Sequence, residues 1–256
     1  MKTLLIPLFT VLAFLLNACG MNVIVGSGNL STETRTASNF EKIILAVPAR
    51  LVLTQGQNES LEISAEENLM AYIHSKVENG VLSIYVEENI NIMPTEEILI
   101  RLSAKDISAI TISGSGKIIS NALNAEELSL QINGSGEFII DQIDTKQLSA
   151  NINGSGEMRL DKISAANTRL SIDGSGKYIV AGQSNSVELL VNGSGRIQAQ
   201  HLESEQAQAS INGSGNIAVW ASEQLTARIT GSGEIAYSGQ AQVAKVINGS
   251  GSIHAE

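Results

Sequence analysis

The chain has 256 residues, of which 26 are acidic, 16 are basic and 43% are apolar, and its formal net charge is −10. Because no cluster of Lys or Arg offsets this acidity, nucleic acid and anionic membrane surfaces are poor partners. The single cysteine excludes an intramolecular disulfide.

Residues 1–18 have the pattern of a lipoprotein signal peptide. Lys2 supplies a positive charge, and an apolar run extends from Leu4 to Leu16, which is shorter than a membrane-spanning helix requires. The tetrapeptide Leu16-Asn17-Ala18-Cys19 resembles the bacterial lipobox, whose cysteine receives a lipid and becomes the mature N-terminus. We therefore predict export and a membrane anchor on Cys19. A signal peptide cleaved elsewhere, or a buried structural cysteine, is the alternative.

Residues 19–38 are predicted to carry this lipid and to form a flexible tether. From Gly20 to Ser38 the chain is polar, rich in Gly, Ser and Thr, and poor in core residues, and Gly26-Ser27-Gly28 fits a flexible linker. In the sorting pattern of enteric lipoproteins, Asp after the lipidated cysteine retains the protein in the inner membrane. Gly20 stands there instead, which predicts the outer membrane.

Residues 39–112 are strand-like but irregular. Runs of alternating apolar residues are separated by turn signals such as Gln55-Gly56 and Asn79-Gly80. Residues 68–76 are predicted to contain one short helical turn. We interpret this segment as atypical coils that begin and cap the repeat that follows, because terminal repeats commonly deviate from their consensus. A separate small β-domain is the alternative.

Residues 113–256 contain a regular repeat. Gly-Ser-Gly occurs eight times, starting at positions 114, 134, 154, 174, 193, 213, 231 and 249, so the spacing is 18 to 20 residues. A small polar residue precedes each copy, and an aliphatic residue precedes that one. Apolar residues alternate with polar ones on both sides of the tripeptide, which indicates two strands joined by a corner.

The repeated corner predicts an all-β fold, a parallel β-helix (solenoid) with about 20 residues per coil. Glycine permits positive φ and close stacking, and Asn side chains can form a hydrogen-bonded ladder. A stack of hairpins is the competing structure, but it gives no reason for matched corners. The predicted structural corners are Asn133, Gly134, Gly136, Asn153, Gly154, Gly156, Asn192, Gly193, Gly195, Asn212, Gly213, Gly215, Asn248, Gly249 and Gly251.

The glycine-rich corners do not fit a phosphate-binding loop. That motif needs a further Gly five residues before its second Gly, and Ser or Thr after its Lys. Around Gly114-Ser115-Gly116-Lys117 these positions hold Thr111 and Ile118, and the copy that ends at Lys177 fails in the same way. We predict no cofactor at these corners.

No other motif indicates catalysis or metal binding. Asp141 and Asp161 recur in register only once, which is typical of a solvated corner. His74, His201 and His254 are scattered, without the spacing of a catalytic triad or carboxylate pair. We therefore predict neither an enzyme nor a metal site. Trp220 is interpreted either as an exposed binding residue or as a packed corner, the latter being favoured.

These features together resemble the bacterial family called putative auto-transporter adhesin, head GIN domain. The resemblance rests on the lipobox, on Phe40-Glu41-Lys42-Ile43, on Asn79 to Ile84 and on the serial Ile-Asn-Gly-Ser-Gly corners. It extends from about Phe40 to the end of the sequence. The resemblance implies a parallel β-helix on an exported, often lipid-anchored protein, and it defines no catalytic residues.

The leading functional hypothesis is a non-catalytic, lipid-anchored module of the cell envelope that binds an envelope protein or a glycan, or acts as a structural element. Solenoids bind through extended surfaces, so we expect the contact surface where the repeat varies. These stretches are Asn121–Glu127, Asp141–Gln147, Asp161–Asn167, Ala181–Ser186 and Gln200–Gln206. A polysaccharide-active enzyme on the same fold is the alternative.

A self-assembling scaffold is a further alternative. The last coil seen in the sequence is short after Gly251, which predicts an open strand edge through which two copies could associate. Lys245 occupies a position where the alternation expects an inward apolar residue. We expect the register to change or the core to fray there.

Overall fold

A computed structural model describes residues 22–256. These residues form a parallel β-solenoid of about seven turns with roughly 20 residues per coil and a less regular N-terminal half, which confirms the predicted fold class. The predicted signal peptide and Cys19 lie outside the described residues.

The N-terminal half consists of short strands and one helical turn. They are β1 (Asn22–Val25), β2 (Leu30–Arg35), β3 (Lys42–Ala46), β4 (Ala49–Gln55), β5 (Ser60–Glu66), α1 (Glu67–Met70), β6 (Ile73–Glu78), β7 (Val81–Val86), β8 (Ile90–Met93), β9 (Ile98–Ala104) and β10 (Ala109–Gly114). The turn predicted within residues 68–76 corresponds to α1, although the chain is already extended again from Ile73.

The regular repeat begins with long strands that each follow almost a whole coil. They are β11 (Lys117–Gly134), β12 (Glu137–Gly154), β13 (Glu157–Gly174), β14 (Lys177–Gly193) and β15 (Arg196–Gly213). The last coils contain β16 (Asn216–Trp220), β17 (Gln224–Gly231), β18 (Glu234–Ser238), β19 (Gln242–Gly249) and β20 (Ser252–Ala255). Every pairing among them is parallel, so a stack of hairpins is excluded.

Equivalent residues of successive coils lie directly above one another and form the core. Ile132 pairs with Ile152, and Ile152 pairs with Ile172; all three are fully buried. Tyr178 is also fully buried, and its hydroxyl donates a hydrogen bond of 3.2 Å to the carbonyl oxygen of Ser171. Burial raises the pKa of this phenol. The interior is therefore a continuous apolar column of the kind that period-two alternation predicts.

At the N-terminal end, the stacking order differs from the chain order. Strands β10 and β11 pair with β3 and β4, which in turn pair with β7 and β9. The terminal coil is therefore built from residues 81–104, although residues 42–55 precede it in the chain. Strands β6 and β5 pair antiparallel with β7 and β9. This part therefore continues the parallel stacking of the solenoid.

Residues 22–35 form two strands, so the prediction of a flexible tether is wrong for them. Strand β1 pairs in parallel with β8, and β2 pairs antiparallel with β5. The guanidinium of Arg35 donates hydrogen bonds to the carbonyl oxygens of Ile73 (2.5 Å) and Met70 (3.3 Å). The sequence gives a weak signal here because most side chains of β2 are exposed.

Candidate functional site

From Gly134 onward, the first glycine of each corner lies tightly against the corner of the preceding coil. At the predicted corner residues Gly134, Gly154, Gly193, Gly213 and Gly249, φ lies between 123° and 136°. A Cβ atom at Gly154 would lie 2.4 Å from the carbonyl oxygen of Gly134. Both the backbone conformation and the close approach therefore require glycine at this position.

The second glycine of each corner is close to both the backbone and the core. The predicted residues at this position are Gly136, Gly156, Gly195, Gly215 and Gly251. A Cβ atom at Gly156 would lie 2.7 Å from the carbonyl oxygen of Gly136 and 2.8 Å from Cγ2 of Ile132. The N–H groups of Ser135 and Glu137 donate to the carbonyl oxygens of Gly114 and Gly116 at 2.9 and 3.0 Å. Because stacking uses these N–H groups, they are not available to a phosphate.

The residues before the corners form an interrupted amide ladder. The side-chain NH₂ of Asn153 donates to Oδ1 of Asn133 at 3.0 Å, and that of Asn212 donates to Oδ1 of Asn192 at 2.9 Å. Asn192 donates in turn to the Asp173 carboxylate at 2.7 Å. Asn248 pairs in register with Thr230, which has no amide to continue the ladder. These contacts join neighbouring coils.

The variable stretches stack into one wall of the solenoid. Asn124 pairs in register with Asp144, and the column continues through Ser164 and Gln183 to Glu203. Most of these side chains are exposed. This wall presents amide, hydroxyl and carboxylate groups rather than a repeated motif.

A groove of about 240 Å³ opens on this wall where the coils become shorter. The distance between successive corners falls from 20 residues before Gly213 to 18 residues after it. The hydroxyl of Ser204 donates a hydrogen bond of 2.7 Å to the carbonyl oxygen of Trp220, which is half-buried. Trp220 is thus half-buried at the end of β16 and also lines the groove. The groove residues are Gln183, Ser184, Asn185, Glu203, Ser204, Glu205, Trp220 and Ser222.

A second surface feature lies at the N-terminal end, on the sheet formed by β1 and β8. Ile92 is buried and Ile24 packs against the core, so the alternate residues point outward. Val23, Val25 and Met93 are 50%, 56% and 53% exposed. A groove of about 550 Å³ adjoins this face, and its apolar lining includes Val47, Pro48, Val86, Ile90, Met93 and Pro94.

A buried carboxylate holds the chain beside this face. Glu66 is fully buried and accepts hydrogen bonds from the N–H of Gly28 (2.6 Å), the N–H of Thr95 (2.9 Å) and the hydroxyl of Thr95 (2.6 Å). The Thr95 hydroxyl is the main reason that the pKa of Glu66 lies below its usual value; burial opposes this effect, and the backbone N–H groups add to it. The sequence does not single out Glu66, because one Glu at the end of a strand gives no indication that it is buried or hydrogen-bonded.

The histidines singled out in the sequence remain apart. Nε2 of His74 lies 3.6 Å from the Glu87 carboxylate, and Nε2 of His254 lies 3.6 Å from that of Glu234. Within residues 22–256, no group of three or more His, Cys, Asp or Glu is placed to hold a metal ion. The described part of the chain also has no helix that is long and apolar enough to cross a membrane.

The chain is similar to one protein family and to several solved structures. The sequence matches the family model described as "Putative auto-transporter adhesin, head GIN domain" over residues 39–241. A crystal structure described as a putative lipid binding protein from Parabacteroides distasonis is 30% identical, with a TM-score of 0.89 over 92% of this chain and 100% of the other. A putative adhesin from Parabacteroides merdae is 23% identical, with a TM-score of 0.87 over 92% of this chain and 99% of the other. No curated protein matches.

Proposed function

Because this chain belongs to the family of the putative auto-transporter adhesin, head GIN domain, we propose that it is a non-catalytic binding module of the cell envelope, anchored in the outer membrane by a lipid on Cys19. Its family and structural neighbours support an adhesin-like, exported protein and favour a role other than catalysis. The lipobox-like sequence Leu16-Asn17-Ala18-Cys19 supports the anchor.

The observation that carries this proposal is that the corners and the wall differ in structure. In the Gly-Ser-Gly corners, backbone N–H groups bond to the preceding coil, and the glycines pack closely against it. The wall of variable stretches is exposed, and its composition changes from coil to coil. We therefore propose that the binding surface is the wall, where the groove at Trp220 contains an aromatic side chain.

The side chains of this groove fit a glycan. The indole of Trp220 offers an apolar surface on which a sugar ring can stack. The carboxylates of Glu203 and Glu205 and the amides of Gln183 and Asn185 can accept hydrogen bonds from sugar hydroxyls. We propose envelope or host glycans as the ligand class of the groove.

The test is Trp220→Ala in the chain from residue 19 onward, with Cys19→Ser to keep it soluble. We expect its affinity for the glycans that bind the parent to fall about tenfold, because the stacking surface is lost. A panel of purified envelope polysaccharides and mucin glycans would be screened, followed by titration calorimetry. Tyr85→Ala, which removes a half-buried aromatic outside the groove, is the matched control. Equal binding by the Trp220 variant, or no binding by the parent, would refute the glycan proposal.

A second candidate ligand is a lipid. The relative from Parabacteroides distasonis is described as a putative lipid binding protein. The groove lined by Val47, Val86, Ile90 and Met93 has a volume of about 550 Å³, within the range of small-molecule sites. Its apolar lining suits an acyl chain better than a sugar.

Association of two copies through the last coil is a further candidate. Ile247 continues the column of buried Ile229 but is 42% exposed, since no described strand covers the outer edge of β19. Lys245 opposes such stacking. Its ammonium lies 4.6 Å from the ring centre of Tyr237 and donates a hydrogen bond of 3.2 Å to the carbonyl oxygen of Ile253. An inward-pointing charge at a sheet edge hinders edge-to-edge pairing.

Lys245→Leu is therefore expected to strengthen self-association about tenfold, because it removes the charge and extends the apolar end of the core. Sedimentation equilibrium of the soluble chain over a range of concentrations measures this change. Lys162→Leu adds the same apolar side chain on the exposed wall and should leave the association constant unchanged. A folded Lys245 variant that stays monomeric at the highest concentrations would refute association through this edge.

A further inference from the structure

We infer that the exposed face of the β1–β8 sheet, whose outward residues are Val23, Val25, Asn91 and Met93, rests on the lipid bilayer. This inference builds on the proposed lipid anchor at Cys19. It adds a second, protein-mediated contact with the membrane, and it fixes which end of the solenoid lies at the membrane surface.

The position of Cys19 in the sequence places the anchor beside this face. Cys19 precedes Asn22, the first residue of β1, by three residues. Three residues span at most about 10 Å. A lipid on Cys19 therefore enters the bilayer close to β1, and the sheet cannot stay far from the membrane surface.

The composition of the face suits an apolar environment. Val23, Val25 and Met93 are three of the seven large apolar side chains that are exposed among residues 22–256. Val25 pairs directly with Met93 and Val23 pairs with Asn91, so Asn91 is the one polar side chain among these four outward residues. The adjoining groove shares Asn91 and Met93 with the face, so its apolar residues lie next to the apolar residues of the face. Grouped apolar side chains of this kind mark an interaction surface rather than ordinary exposed residues.

The charges around the face favour neutral lipid headgroups. Residues 22–29 and 87–97, which contain β1, β8 and their flanks, have no Lys or Arg. They do include Glu87, Glu88, Glu96 and Glu97. Attraction to anionic lipids is therefore excluded as the driving force. Contact must come from burial of apolar side chains, which salt does not weaken.

The face is held firmly on the solenoid, so its contact would orient the whole domain. The side-chain NH₂ of Asn68 donates to the carbonyl oxygen of Val25 at 2.7 Å, and its Oδ1 accepts from the N–H of Ser27 at 2.9 Å. The N–H of Gly26 donates to the carbonyl oxygen of Met93 at 2.9 Å. The membrane thus meets a fixed part of the terminal coil, and the wall with the Trp220 groove belongs to coils farther along the stack.

The first experiment uses the lipidated mature protein in zwitterionic phosphatidylcholine vesicles. A cysteine introduced by Val25→Cys carries an environment-sensitive NBD fluorophore, and Val52→Cys, which labels an exposed valine on the solenoid, is the control. We expect doxyl-labelled lipids to quench the label at position 25 several-fold more than the label at position 52. Equal quenching in membrane-bound protein would overturn the inference. Maleimide labelling of Cys19 in the parent protein would instead show that the anchor is missing.

The second experiment removes the anchor, so that the face is tested alone. The Cys19→Ser chain is floated with phosphatidylcholine vesicles, with and without Val23→Ser, Val25→Ser and Met93→Gln. We expect the triple variant to partition about tenfold more weakly, whereas Val52→Ser changes nothing and raised salt leaves parent binding intact. Equal partitioning of parent and triple variant overturns the inference even if the anchor is present. A concentration-dependent dimer that the triple variant abolishes would also overturn it, because the face would then bind a second copy.

Discussion

Replacing Gly154 by alanine is expected to lower the free energy of unfolding by about 3 kcal/mol or more. Gly154 has φ of 129°, and a Cβ atom there would lie 2.4 Å from the carbonyl oxygen of Gly134. That oxygen accepts the hydrogen bond from the N–H of Ser155, so moving it weakens the contact between two coils. Urea denaturation followed by circular dichroism measures the loss.

Gly80→Ala is the control for a left-handed glycine that has open space around it. Gly80 also has positive φ, 75°, but a Cβ atom there would meet nothing within 4 Å. We expect this variant to cost only about 1 kcal/mol, the strain of a left-handed alanine. If Gly154→Ala costs no more than Gly80→Ala, close stacking of the corners is not what requires glycine.

Replacing Glu66 by glutamine is expected to lower Tm by about 5 °C or more at pH 7. The Glu66 carboxylate accepts hydrogen bonds from Gly28 and Thr95, and an amide nitrogen in place of one oxygen would face donors. A Cβ atom at Gly26 would lie 1.9 Å from Oε2 of Glu66, so the surrounding chain has no room to rearrange freely. Differential scanning calorimetry gives the change, and Glu88→Gln on the surface is the control.

The effect of Glu66 depends on pH in a defined direction. The pKa of Glu66 in the folded protein is lower than its ordinary value of 4.5, so folding favours the ionised carboxylate. The stabilisation is complete above pH 4.5 and is lost as pH falls through the folded pKa. The difference in Tm between parent and Glu66→Gln should therefore shrink on acidification. A difference that stays constant or grows would contradict this account.

The regular coils could be predicted because each coil needs glycine at the same two corner positions, and the sequence repeats these glycines at a nearly constant spacing. In the structure, Ile132, Asn133 and Gly134 pair directly with the equivalent residues of the next coil. The wall was also recognisable as the part that varies. The groove at Trp220 had a sequence signal, the shortening from 20 to 18 residues per coil, but spacing alone does not show which side of the coil loses the two residues.

The N-terminal features could not be predicted because long-range pairing determines them. Nothing in residues 42–55 indicates that they insert between residues 81–104 and the coil that follows. Strand β1 is too short to show a periodicity, and its partner β8 lies far along the chain. Glu66 becomes significant only when Gly28 and Thr95 are brought to it. In each case the environment of the residue is formed by segments that are distant in the sequence, so the local sequence does not indicate it.

The inverted order at the N-terminal end has a consequence for how an exported chain acquires its structure. Strands β3 and β4 emerge early from a secretion channel. The strands that pair with both of their edges, however, all lie after residue 80. Every later coil pairs with the segment one coil earlier and can add as it arrives. Contacts between distant segments form more slowly than those between near ones. We therefore expect the N-terminal end of the solenoid to assemble most slowly. This is also the end that the proposed anchor holds at the membrane.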